Sequence, residues 1–121
     1  MTEGYKEQLK YKMDIFVHEI FKAGRLFPRE EIYITTSQLK RAALSVILNY
    51  VEGYARFKKG NQLNFLEIAY GSLKEVKYLI YFSYQEKFLS QEIYDKLNAK
   101  AEELGAMLWT EIAALNRSLD N

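Results

Sequence analysis

A single proline and six glycines are all that interrupt the 121 residues. Between those breaks the apolar residues recur at steps of three and four, the spacing that lines one face of an α-helix. The pattern divides into four helices. The first runs from about Tyr5 to Leu26, with Leu9, Met13, Phe16, Ile20 and Ala23 on its stripe. Phe27-Pro28 ends it, because proline disfavours helical backbone in the residue before it. After the connection 29–34, the second helix opens at Thr35-Thr36-Ser37-Gln38, where a threonine hydroxyl can accept from a free backbone N–H while Gln38 reaches back. It should run to about Arg56, before the cations and glycine of Phe57-Lys58-Lys59-Gly60. Asn61 is expected to cap the third helix, whose stripe of Phe65, Leu66, Ala69, Leu73, Val76 and Ile80 fades near Gln85. Ser90 is expected to cap the fourth, which carries Ile93, Leu97, Ala101, Leu104, Leu108, Ile112, Leu115 and Leu119. Short connections make sequential helices antiparallel. The expected fold is all-α, an antiparallel up-down four-helix bundle forming one domain over residues 1–121.

The residue inventory narrows the chemistry. Without cysteine there is no disulfide, thiol nucleophile or thiolate metal site. The lone histidine, His18, precedes Glu19 and has no second histidine with which to build the Glu-x-x-His pairs of a di-iron bundle. The glycine-rich phosphate loops and the nucleophile elbow of serine hydrolases are missing from the sequence. No enzyme activity, catalytic residue, metal or cofactor is therefore expected. No apolar run approaches the ~20 residues of a membrane helix, and the opening MTEGYKEQLKYK has no signal-peptide core. The expected location is the cytoplasm, with no membrane partner. A net charge of +1 neither requires nor forbids an acidic partner. Gly71-Ser72 in the third helix reads as a pair of small residues that let two helices approach closely.

Helix two is apolar on two sides. Leu39, Ala42, Ala43, Val46, Tyr50 and Tyr54 would line the bundle interior. Leu44, Leu48, Val51 and Ala55 form a second stripe on the far side, which a monomer would leave wet. Covering it takes another subunit, so these four residues are the expected oligomer interface. Between the stripes runs a polar one of Gln38, Arg41, Ser45, Asn49, Glu52 and Arg56. As a ligand site it would bind nucleic acid or a small molecule. The reading preferred here is a partly buried structural network in which Arg41 pairs with Glu52 while Ser45 and Asn49 satisfy neighbouring polar groups.

The segment Thr36-Ser37-Gln38-Leu39-Lys40-Arg41-Ala42-Ala43-Leu44-Ser45-Val46, followed by Asn49, Glu52-Gly53 and Arg56, resembles the signature of the 23S rRNA intervening-sequence proteins. Phe27-Pro28 with Glu31 and Tyr33 is similar to that family's turn before the second helix, and Ile68-Ala69-Tyr70-Gly71-Ser72-Leu73-Lys74-Glu75 to its third-helix motif. Ile47-Leu48 and Tyr50-Val51 stand where relatives commonly carry a proline and smaller residues, which makes this helix more apolar. The resemblance implies a ring-shaped homopentamer of four-helix bundles, found in bacteria and sometimes encoded inside insertions in the large-subunit rRNA gene, and it implies no enzymatic activity.

Arg56, Lys58 and Lys59, with Phe57 among them, are the best candidates for contacting nucleic acid. Three cations on one chain make a small patch, but a ring repeats the patch and sums it. The partners expected are further copies of the chain, with RNA or DNA and a protein partner both left open. The alternative to a nucleic-acid-binding accessory is a purely structural or protein-binding scaffold. Residues 31–60 carry five Lys+Arg against two Asp+Glu, whereas residues 91–121 carry three against six. Opposite patches of that kind can also meet across a subunit contact.

Overall fold

The computed structural model describes residues 2–120. Four helices, α1 (Glu3–Gly24), α2 (Thr35–Tyr54), α3 (Lys59–Gln85) and α4 (Gln91–Asp120), are joined by short turns, with one 3-10 turn at Arg29–Glu31. Each helix packs against its sequential neighbour, and α1 packs against α4 to close the square. The bundle is antiparallel and up-down, as the spacing predicted. One contiguous core of Leu9, Met13, Phe16, Ile20, Leu39, Val46, Leu66, Leu73, Ile80, Leu104 and Leu108, with their neighbours, fills it. No helix among the described residues is long and apolar enough to cross a membrane.

The helix boundaries show where local signals were overridden. Thr2 Oγ1 accepts from the Tyr5 N–H at 3.1 Å, so α1 starts two residues earlier than its apolar stripe suggests. Its last carbonyls are met by 3-10-type bonds from Arg25, Leu26 and Phe27, and the regular helix stops at Gly24. Helix α2 does begin at Thr35, but its capping position is Ile34 and no side chain caps it. The expected capping box is absent because its members have other partners. Thr35 Oγ1 donates to Glu31 Oε1 at 2.6 Å, and Gln38 Nε2 donates across to Glu75 Oε2 of α3 at 2.9 Å. A charged carboxylate is a stronger acceptor than a hydroxyl, and it draws both donors. The α2–α3 turn also lies about two residues earlier than expected. Helix α2 ends at Tyr54 and α3 starts at Lys59, so Gly60 stands in the first turn of α3 and Asn61 does not cap it. Gln62 Nε2 instead donates to the Arg56 carbonyl at 2.8 Å. Ser90 behaves as expected, with its Oγ accepting from the Ile93 N–H at 3.2 Å.

The two ends of the bundle differ in character. At one, Phe27 from the α1–α2 turn and Phe88 from the α3–α4 turn meet with ring centroids 5.4 Å apart above buried Leu89. The other end, where α1 and α3 begin and α2 and α4 finish, is lined by tyrosines, lysines and a carboxylate.

Candidate functional site

Helix α2 turns its first apolar stripe inward. Leu39, Ala42, Ala43, Val46 and Tyr50 are buried and Tyr54 is half-buried. The second stripe is open, with Leu44 39% exposed, Leu48 61%, Val51 48%, and Ala55 exposed beside them. In a single chain nothing covers it.

The polar stripe lies along the seam with α3. Ser45 Oγ and Ser72 Oγ are 2.7 Å apart, and Asn49 Nδ2 donates to the Ser45 carbonyl at 2.8 Å and to its hydroxyl at 2.9 Å. Gln38 completes the seam through Glu75. The Arg41–Glu52 pair is not formed. The two residues stand eleven positions apart, roughly 16 Å along the helix axis, whereas Arg56 lies one turn from Glu52 and pairs with it. Arg41 is exposed and takes part in no ion pair among the described residues. Gly71, expected at a close helix contact, meets nothing within 4 Å of where a Cβ would stand. Close approach occurs at Gly53 instead, where a Cβ would lie 3.1 Å from Phe65 Cβ and 3.2 Å from the Gln62 carbonyl.

At the α2–α3 corner the three candidate cations have different fates. Arg56 is held by Glu52 and its guanidinium sits 4.9 Å from the centre of the Phe65 ring. Lys59 donates to Ser118 Oγ of α4. Lys58 is exposed, and Phe57 beside it is fully exposed. Helix α3 begins here with neither a capping side chain nor an acid in its first turn, so its N-terminal amides and dipole remain open to an anion.

Next to this corner is a cluster that the sequence reading passed over. Glu111 of α4 is 1% exposed. Tyr50 donates to its Oε1 at 2.7 Å, and Tyr54 donates to its Oε2. Helices α2 and α4 are diagonal across the bundle without close backbone contact, so long side chains bridge the gap. Burial, then the hydrogen bond to Glu111, pushes both tyrosine hydroxyls far above the ordinary tyrosine range. Lys6 of α1 rests with its ammonium 4.3 Å from the centre of the Tyr54 ring. Tyr54, Lys6 and Gln62 separate a cleft of about 410 Å³ from one of about 200 Å³. The missed signal was Glu111 standing next to Ile112 within an apolar helical run, on the inward side of α4. His18 is exposed on α1, its Nε2 3.4 Å from Asp14 Oδ1.

A family model described as 23S rRNA-intervening sequence protein matches residues 7–110. No curated protein matches the chain. A crystal structure from Bacteroides thetaiotaomicron VPI-5482, of a protein with unknown function from the S23 ribosomal protein family, superposes with a TM-score of 0.84. It is 20% identical and covers 90% of this chain and 98% of its own. At that identity the likeness speaks for the fold alone.

Proposed function

The chain belongs to the 23S rRNA-intervening sequence protein family, and from that membership we propose that it is a non-enzymatic scaffold of bacterial cytoplasm that works as a homo-oligomer, a ring of five by family resemblance. The observation that carries the reading is the second stripe of α2. Leu44, Leu48, Val51 and Ala55 rise on consecutive turns and stand open to water, although the same helix already buries a full stripe in the core. A long helix apolar on two sides is covered on two sides. The Glu111 cluster supports the non-enzymatic part, because both carboxylate oxygens are engaged by Tyr50 and Tyr54. Light scattering at micromolar concentration is expected to give several times 14.3 kDa. Leu48→Arg should move the population toward monomer or aggregate, since it places a charge in an apolar contact. A wild-type mass of one chain overturns the reading.

The second function we propose is nucleic-acid binding at the α2–α3 corner, favoured by the fully exposed Phe57 beside Lys58 and the uncapped start of α3. Assembly would repeat this corner around one face. Because Arg56 and Lys59 already have partners within the chain, each copy offers less positive charge than its sequence suggests. Binding is expected to ignore base sequence and to fall steeply between about 50 and 200 mM salt. Replacing Arg56, Lys58 and Lys59 with serine should abolish it while the assembly persists. Absence of retention on RNA or DNA at the lower salt leaves the scaffold as the whole function.

A further inference from the structure

On the far side of α3 from α2, a cleft of about 340 Å³ opens between α3 and α4. Its wall is aromatic: Tyr70 and Trp109 face each other with ring centroids 5.7 Å apart and planes tilted by 50°. Trp109 is 57% exposed, which leaves a broad apolar surface in water on a helix with ample buried stripe of its own. Its floor is kept low by Gly105, and the exposed Ala106 stands at its mouth. At the rim Lys74 reaches over the Tyr70 ring, 5.2 Å from its centre, and joins no ion pair among the described residues. The other rim cation, Lys77, is taken up by Glu102, and that hydrogen bond holds the Glu102 carboxyl below the usual carboxylate range. Lys77 is thus engaged directly, whereas Lys74 acts on Glu102 only through space and keeps its N–H donors without a hydrogen-bond partner among the described residues.

An aromatic wall with a small residue beneath it and an ammonium at the rim whose donors are not taken up fits a flat ring joined to an anion. We propose that this cleft binds a nucleotide unit, with its base against Trp109 and Tyr70 and its phosphate at Lys74. Bases of every kind have a π-face, so stacking tolerates sequence, and a cation beside the aromatic wall adds the phosphate contact. A cleft of this size is at the lower end of small-ligand sites, which suits one base and excludes a duplex. The site lies apart from the α2–α3 corner and uses none of its residues.

Trp109 is the sole tryptophan, so its emission reports this cleft and no other. The full chain is titrated with AMP, with UMP, with a single-stranded DNA oligonucleotide, and with ribose 5-phosphate, which has the anion but no base. Saturable quenching by the nucleotides and none by ribose 5-phosphate is the expected result. Quenching by AMP or UMP marks a free nucleotide as the source, and quenching by the oligonucleotide alone marks a strand; either supports the site. Lys74→Gln removes the rim charge and Ala106→Leu fills the mouth from an exposed helical position. Each should weaken binding about fivefold or more, with the helical circular dichroism unchanged. The serine variants of Arg56, Lys58 and Lys59 should leave the quenching intact, which separates this site from the corner. The proposal fails if no nucleotide probe quenches, if Lys74→Gln and Ala106→Leu quench like the wild type, or if the emission shifts with protein concentration alone, which would mark the cleft as a contact between copies.

Discussion

Glu111 shows how much one residue can depend on two others. Its carboxylate is buried with tyrosine hydroxyls on both oxygens and, among the described residues, no cation paired to it. Tyr50→Phe strips Oε1 of its donor and is expected to cost about 1–3 kcal/mol, read from urea unfolding. The same pair gives the molecule an alkaline weakness. In the fold both hydroxyls titrate above their ordinary value, whereas the unfolded chain loses these protons near pH 10. The unfolded state then binds fewer protons, so this stability is complete below about pH 10 and is lost as pH rises beyond it. Unfolding midpoints at about pH 9 and about pH 11 should diverge in the wild type and converge in a Tyr50→Phe, Tyr54→Phe double variant, relative to those midpoints. Arg41 and Glu52 stand at the other extreme. Both are exposed, so Arg41→Ala or Glu52→Ala should change stability by less than about 1 kcal/mol.

Two glycines set α2 and α3 against each other as elements. Gly71 lies mid-helix in α3 with open space where a Cβ would go, so it weakens the helix without permitting any contact. Gly71→Ala should raise stability by about 0.5–1 kcal/mol. Gly53 is the reverse case: a Cβ there would press on Phe65 and on the Gln62 backbone. Gly53→Ala should destabilise by about 1–3 kcal/mol despite its better helix propensity. Chemical denaturation of the two variants side by side tests which glycine the α2–α3 contact needs. Helix α3 also ends against its propensity. Lys87 holds φ 67°, and the Phe88 and Lys87 amides return to the Ser83 and Tyr84 carbonyls at 2.8 and 3.0 Å. That is a Schellman ending in which a lysine occupies the position glycine favours.

For the whole molecule, the proposal of assembly through α2 implies that folding and association are coupled. Melting temperature should rise with protein concentration, because the bound neighbour stabilises the folded state by mass action. Leu48→Arg should remove that dependence. Raising salt to about 1 M separates the two contacts the chain offers, since charged patches are screened at that strength and an apolar stripe is not. An assembly that survives it rests on Leu44, Leu48, Val51 and Ala55. One that dissociates rests on the positive 31–60 and negative 91–121 segments.

The number of helices, their order and their inward stripes were legible in the sequence, because a period near 3.6 residues with few chain breakers leaves a chain few other ways to bury its apolar side chains. So was the second stripe of α2, by the same periodicity. Helix starts were less legible, since Thr35 and Gln38 could have served a cap and found instead Glu31, in the turn just before the helix, and Glu75, which only the folded chain brings near. The fate of each charge was not legible at all. Arg56 in place of Arg41 takes Glu52, and Lys59 turns to Ser118 fifty-nine residues away. The burial of Glu111 and the pairing of Tyr70 with Trp109 were decided there too. Periodicity is a property of neighbours along the chain, but a hydrogen-bond partner is chosen by distance in space, and that distance exists only once the helices have packed.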